Sequence, residues 1–180
     1  MRWIRLLLAL TRAVFKPKIR PNDATVLGFR VWLTDVDVSV VNHAAIMTIF
    51  EMGRADYMVR LNFFQAASRH KWFVPNLAIN VQFHRPLRVW QKGEVHTKIS
   101  FVDDTHFYVE QKIMRKGKLI ATCFSDTLAK QGRKTVPTRE IMDLIGVCPR
   151  EVPTEPHDVI PLFKEQNALV TEKIFKTWEA

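Results

Sequence analysis

Four runs of alternating apolar and polar residues lie between Leu77 and Lys130 and leave few folds open to this chain. Alternation places successive side chains on opposite faces of a strand, so each run predicts a half-buried β-strand. The links between the runs are short, and Lys116-Gly117 is typical of a tight hairpin. Short links make neighbouring strands antiparallel. We predict strands at Leu77–Phe83, Val95–Phe101, Phe107–Ile113 and Leu119–Lys130.

A long apolar segment, from about Ala44 to Arg60, precedes these runs and predicts a helix that is buried on nearly all sides of its first half. Before it, Val26–Leu33 alternates and predicts a further strand, and residues 62–71 predict a loop. Only one helix is placed to cover the sheet. We therefore predict an α+β fold in which a long central helix is wrapped by an antiparallel sheet of five to six strands.

The composition divides the chain of 180 residues into three parts. Residues 21–135 form the predicted domain, and residues 136–180 form a helical appendage, with a short helix to Ile145 and a last one from about Leu162 to Trp178. Residues 1–20 predict a basic amphipathic helix that packs on the domain or a second subunit, or lies on an anionic membrane. Its predicted apolar side consists of Trp3, Leu6, Leu7, Leu10 and Val14.

The net charge of +9 favours an anionic partner, which nucleic acid, anionic lipid or the phosphates of a small molecule would provide. Zinc-finger spacing, a glycine-rich phosphate loop and an aromatic RNA-binding signature are all absent from the sequence, so we expect no nucleic-acid binding. The six histidines form no helical pair, and we expect no metal. Two cysteines indicate a reducing compartment, so we expect a cytoplasmic protein, with the inner face of a membrane as a further contact.

Titratable residues crowd the start of the long helix. Asp35 and Asp37 precede it, His43 lies at its first turn, and Asn42 is a good N-cap. Free N–H groups at a helix start stabilise developing negative charge. We therefore predict that Asp37, or alternatively Asp35, acts as a general base or nucleophile, and that His43 orients water or shares the proton. Simple capping of the turn is the alternative for both acids.

Three segments of the chain resemble the 4-hydroxybenzoyl-CoA thioesterase-like family, across roughly Phe29 to Lys130. They are Thr34-Asp35-Val36-Asp37, Val40-Val41-Asn42-His43-Ala44 and Glu51-Met52-Gly53-Arg54. With Phe29-Arg30-Val31-Trp32 and the basic start, the chain is most similar to the branch containing thioesterase superfamily member six. The turn after the second acid is one residue shorter than in many relatives. The resemblance implies the hotdog fold.

The resemblance also implies an acyl-CoA thioesterase that works as a homodimer or a dimer of dimers, without a cofactor beyond the coenzyme A of its substrate. A noncatalytic acyl-binding or membrane-associated scaffold is the alternative, since fold does not decide function. The predicted catalytic residues are Asp37, His43 and Asp35. The predicted substrate-binding residues are Asn42, Ala44, Glu51, Arg85 and Arg88. Structural alternatives are a cap for Asn42, an ion pair with Arg54 for Glu51, and a solvated loop for the two arginines.

Overall fold

The computed structural model describes residues 2–148, 151–153 and 158–175. Its α-helices are α1 (Arg2–Val14), α2 (His43–Arg60), α3 (Phe63–His70), α4 (Thr138–Ile145) and α5 (Val159–Val170). Its strands are β1 (Thr25–Arg30), β2 (Val36–Asp37), β3 (Val40–Val41), β4 (Asn76–Phe83), β5 (Lys92–Val102), β6 (His106–Arg115), β7 (Lys118–Leu128), β8 (Lys130–Gln131) and β9 (Lys134–Thr135). A 3-10 turn covers Leu33–Asp35, and a π-helical turn covers Thr171–Phe175.

Five strands form the main sheet in the order β1-β5-β6-β7-β4, and every neighbouring pair is antiparallel. The predicted antiparallel sheet is therefore confirmed. Lys116 and Gly117 both have positive φ, as the tight hairpin between β6 and β7 requires. β7 ends at Leu128, two residues earlier than predicted, because Lys130 begins a separate hairpin of β8 and β9.

Helix α2 covers one face of this sheet, as the alternation predicts. Inward side chains of β5 and β6 face it in cross-strand pairs, such as Val95 with Ile113 and Ile99 with Val109. The helix approaches the sheet closely at Gly53, where an added Cβ would lie 2.7 Å from Thr97 Oγ1. Glycine at this position therefore sets the distance between helix and sheet.

The predicted loop at residues 62–71 is wrong, because α3 occupies most of it. Phe63, Ala66 and Ala67 are buried against the core, at the spacing of one helix face. Asn62 and Lys71 flank the helix in the left-handed conformation. Packing of this short apolar face stabilises a helix that its length alone would leave marginal.

Asp56 lies four residues before Arg60 on α2 and is fully buried. Its Oδ1 lies 2.6 Å from Lys16 Nζ, and its Oδ2 lies 3.6 Å from Arg60 Nη1. Lys16 follows α1, so this ion pair connects the start of the chain with α2. Spacing along α2 relates Asp56 to Arg60, but it does not reveal Lys16, which is 40 residues earlier in the chain.

Helix α1 packs against α2 with only part of the predicted apolar side, since Leu6 contacts the core. Ala9 and Ala13 are buried, while Leu7 and Val14 are exposed. Small side chains allow two helices to approach closely, which explains why the alanine side faces the domain and part of the leucine side faces outward. Within the described residues, no helix is long and apolar enough to cross a membrane.

The segment after residue 135 contacts the domain through both of its helices. Ile141 and Met142 of α4 join the core cluster that includes Tyr57. Helix α5 begins at Val159, three residues before the predicted start, and the predicted end at Trp178 lies outside the described residues. Its Ile160 and Phe163 pack on the outer face of the sheet. The boundary at residue 135 stays a prediction.

Candidate functional site

The acid motif forms a small hairpin directly before α2. β2 and β3 pair Val36 with Val41 and Asp37 with Val40, and Val38 lies between them with φ of 52°. Left-handed backbone is costly for a β-branched residue, and such strain collects at functional sites. The hairpin reverses the chain, so that Asp37, paired with Val40, lies close to the start of α2.

Asp37 is connected to the start of α2 through Asn42. The Asn42 side-chain amide donates to Asp37 Oδ1 at 3.2 Å, and its Oδ1 accepts the N–H of Ala45 at 2.8 Å. Asn42 is thus the N-cap that the sequence predicts. Because one side chain bonds both groups, the exposed Asp37 carboxylate lies beside the positive end of the helix dipole.

His43 and Ala44, both exposed, occupy the first turn of α2. The first intrahelical hydrogen bond is donated by Ile46 to Asn42. The N–H groups of His43 and Ala44 precede it and are directed out of the helix end, where an oxyanion would find two donors.

An open pocket of about 230 Å³ brings His43 together with Arg85. The His43 ring packs edge-on against Phe83, with 4.7 Å between the ring centroids. Arg85 donates to the Leu119 carbonyl at 2.7 Å, so its guanidinium is positioned rather than freely solvated. The pocket wall near the helix start is apolar, formed in part by Val41.

Asp35 is placed differently from Asp37. It is buried, and Arg5 Nη1 lies 2.6 and 2.7 Å from its two oxygens. Oδ2 also accepts the N–H of Trp32 at 2.9 Å. These contacts hold α1 on the domain, and they leave the Asp35 carboxylate little capacity to bind a water or a thioester.

Two further predicted residues lie apart from this pocket. Arg88 is exposed, and its backbone N–H donates to Gln91 Oε1 at 3.1 Å. Glu51 is half-buried eight residues along α2 from His43, about 12 Å by helix rise. Arg54, its predicted partner, donates to Gln111 Oε1 at 3.0 Å. Among the predicted site residues, the structure therefore places Asp37 in contact with Asn42, and it places His43 and Arg85 in one pocket.

Gln111 is a residue that sequence reasoning misses. It is buried, and its amide donates to the Phe50 carbonyl and to Thr97 Oγ1, both at 2.9 Å. Its oxygen accepts from Arg54, so the guanidinium is fixed between α2 and the sheet. A polar residue at an inward strand position is the signal that would have found it.

Arg54 also lines a cavity of about 100 Å³ beneath the second half of α2, which sequence reasoning misses as well. Most of its walls are apolar, including Leu61, Ile99, Phe107 and Met142. Tyr57 contributes its ring, and burial raises the pKa of its phenol, which donates to the Pro21 carbonyl at 2.6 Å. The cavity is therefore largely apolar, with the Arg54 guanidinium in its wall.

No cluster of three His, Cys, Asp or Glu side chains within the described part of the chain is placed to hold a metal ion. The start of α2 presents a carboxylate, an imidazole and backbone N–H groups. These are the groups that acyl transfer to water requires.

Solved structures share the arrangement of helix and sheet. A probable thioesterase from Bartonella henselae is 23% identical, with a TM-score of 0.60 over 64% of this chain and 98% of that one. A 1,4-dihydroxy-2-naphthoyl-CoA thioesterase from Synechocystis is 15% identical, with a TM-score of 0.61 over 68% and 95%. A hypothetical protein from Staphylococcus aureus in complex with CoA is 14% identical, with a TM-score of 0.60 over 79% and 92%. Identities this low show the hotdog fold alone.

No curated protein matches the chain by sequence. The sequence model of one family, described as the thioesterase-like superfamily, matches residues 31–143, which is more than half of the chain. The match includes the acid hairpin, α2 and the whole sheet except β1. This chain belongs to the thioesterase-like superfamily.

Proposed function

We propose that the protein hydrolyses an acyl-CoA or related thioester to the free acid and coenzyme A. The observation that carries the proposal is the position of Asp37, bonded through Asn42 to the start of α2 and adjacent to the turn that bears His43. Two solved proteins of the same fold support it, since one is a 1,4-dihydroxy-2-naphthoyl-CoA thioesterase and the other, a hypothetical protein, was solved in complex with CoA.

In this proposal Asp37 acts either as a base that takes a proton from water or as a nucleophile that attacks the thioester carbon. In both cases the carbonyl oxygen becomes negative. The N–H groups of His43 and Ala44 then donate to it, and loss of such a donor typically slows a reaction by about 10²- to 10³-fold. His43 orients the water or shares the proton. The C–S bond breaks, and coenzyme A leaves as a thiolate that takes up a proton. Where water is the nucleophile, this step releases the free acid; where Asp37 is the nucleophile, water then hydrolyses the acyl–Asp37 anhydride to release the acid and restore the carboxylate.

Asp35 serves as an anchor rather than a reactant in this scheme, because Arg5 and Trp32 occupy its oxygens. Arg85 and Arg88 lie on the connection after β4 and would meet the phosphates of coenzyme A. Glu51, which is half-buried on α2, remains a proposed substrate-binding residue.

A homodimer is part of the proposal. β4 is at an edge of the sheet, and its Leu77, Ile79 and Phe83 are exposed. An apolar edge strand is a ready surface for a second copy, and the pocket of His43 includes Phe83 at the end of that strand. Sedimentation at micromolar concentration should give twice the chain mass. A monomer there, or a dimer unaffected by Ile79→Lys, would contradict this arrangement.

The proposed location is the cytoplasm. Cys123 and Cys148 are both free, and burial raises the pKa of the Cys123 thiol to about 11. Free thiols fit a reducing compartment. The contact with a membrane surface depends on α1 and not on the chemistry of Asp37.

Release of free thiol from a panel of acyl-CoAs tests the activity. Asp37→Asn should lower hydrolysis at least about 10²-fold, as expected for loss of a catalytic base, while the protein stays folded. His43→Ala tests the neighbouring role in the same assay. Asp104→Asn is the matched control, since this exposed aspartate lies on a hairpin far along the chain.

Unchanged turnover by Asp37→Asn would remove Asp37 from the mechanism. The noncatalytic acyl-binding scaffold makes a different prediction, in which the wild type releases no thiol from any acyl-CoA but still binds one. Calorimetry with the same panel distinguishes the two functions.

A further inference from the structure

The outer face of α1 consists of apolar side chains that nothing in the described residues covers. We define it as Ile4, Leu7, Leu8 and Val14 with the adjoining Phe15. Leu7 is 62% exposed and Phe15 is 89% exposed. The spacing of three and four residues places these side chains along one side of the helix. Isolated exposed leucines are ordinary, but several apolar side chains grouped on one side of a helix, here on either side of Thr11, are a feature of interaction surfaces.

The opposite side of α1 fixes the orientation of this outer face. Ala9 is buried toward α2, and Leu6 packs against the same core cluster. Arg5 binds Asp35 at 2.6 Å, and Lys16 binds the fully buried Asp56 at 2.6 Å. Ion pairs at both ends of the helix therefore hold the outer face away from the domain.

The charge around α1 is of one sign. Residues 1–22 contain six arginines and lysines and no aspartate or glutamate. Arg5 and Lys16 are used inward, whereas Arg12 is exposed on α1 and Lys18 follows it on the chain. An apolar stripe flanked by cations is complementary to an anionic lipid surface, where the side chains enter the interface and the cations meet headgroups.

A second copy of the chain fits this face less well. Pairing two outer faces would bring two sets of cations together without an acidic residue from either helix, and like-charge contacts oppose association. The helix has 13 residues, about 20 Å, which is shorter than the hydrocarbon core of a bilayer. It can lie in the interface but cannot span it.

We propose that the outer face of α1 docks the protein on an anionic phospholipid bilayer, with Leu7, Leu8 and Phe15 inserted and Arg12 at the headgroups. The docking is independent of the thioesterase activity, so failure of one leaves the other standing. It is reversible and weakens with salt, because part of the attraction is between exposed charges.

Co-sedimentation of the full chain with vesicles tests the proposal. Vesicles of phosphatidylcholine with added phosphatidylserine should bind the wild type more tightly than phosphatidylcholine alone. Leu7→Gln and Phe15→Gln should each weaken binding by about tenfold, since each removes an apolar side chain that would be buried in the membrane interface. Arg12→Glu should weaken binding about tenfold on phosphatidylserine vesicles only.

Leu162→Gln is the matched control, because this leucine of α5 is 66% exposed, like Leu7. It should bind vesicles as the wild type does. Circular dichroism should show unchanged unfolding temperatures for all of these surface variants. Equal binding by wild type and Leu7→Gln, or no preference for phosphatidylserine, would overturn the proposal. So would sedimentation in which Leu7→Gln converts a dimer to a monomer, because the occupant would then be a second copy.

Discussion

Replacement of Lys16 by Met should destabilise the fold, because it removes the nearest partner of the buried Asp56 carboxylate. Lys16 Nζ lies 2.6 Å from Oδ1, whereas Arg60 is 3.6 Å from Oδ2, an oxygen without a hydrogen bond in the described residues. Removing one partner of a buried ion pair costs about 3–5 kcal/mol. The Lys16 side chain is 31% exposed, so solvent screening lowers our expectation to about 2–3 kcal/mol.

Thermal unfolding followed by circular dichroism measures this effect. For a chain of this size each kcal/mol corresponds to about 2–4 °C, so the unfolding temperature should fall by about 4–12 °C. Lys18→Met is the matched control, since this exposed lysine is two residues away and its amine contacts only the Val59 carbonyl at 3.4 Å among the described residues. It should change stability by no more than about 0.5 kcal/mol.

A double variant, Lys16→Met with Asp56→Leu, separates the pair from its surroundings. It should be more stable than the sum of the two single effects predicts, because Asp56→Leu removes the buried carboxylate that Lys16→Met leaves without its nearest partner. An unfolding temperature of Lys16→Met equal to that of the wild type, or strictly additive effects in the double variant, would refute the reasoning.

Two further predictions concern the sheet. Gly53→Ala should lower the free energy of unfolding in urea by about 1–3 kcal/mol, because the added Cβ would lie 2.7 Å from Thr97 Oγ1. Gly28→Ala is the control, since a Cβ there meets nothing within 4 Å. A Gly53→Ala variant more stable than the wild type would disprove the close contact. The hydrogen bond to Asp126 raises the pKa of His106 above its usual 6.5. The His106–Asp126 pair therefore stabilises the fold fully below pH 6.5, and this stabilisation is lost as the pH rises through the folded-state pKa of His106. As the pH rises above 6.5, the free energy of unfolding should therefore fall more in the wild type than in Asp126→Asn, and equal slopes would argue against a charged pair.

The sheet is predictable from the sequence because alternation is a local property that burial enforces. Val95 and Ile113 pair across two neighbouring strands, and both are apolar because they face the buried side of the sheet. Helix α3 also has a local signal, since Phe63, Ala66 and Ala67 follow helical spacing, but the segment is short enough to pass as a loop. The packed face of α1 is harder, because both of its sides are apolar and only the contact with α2 selects between them.

At the candidate site, local chemistry is predictable and long-range chemistry is not. Asn42 is an N-cap by residue type and position, and the structure confirms it. Asp35 and Asp37 look alike in the sequence, yet Arg5, 30 residues earlier, binds one and leaves the other exposed. The cavity beside Arg54 depends on how α2, α4 and the sheet meet, which no local pattern contains.

Helix α5 limits how copies of this protein can stack. It lies on the outer face of the sheet, where Phe163 packs edge-on against Phe124 at 5.0 Å and Lys164 binds Asp103 at 2.7 Å. Two sheets in face-to-face contact are about 10 Å apart, and a single helix with its side chains already fills that thickness. A second sheet could therefore approach this part of the outer face only if α5 were displaced.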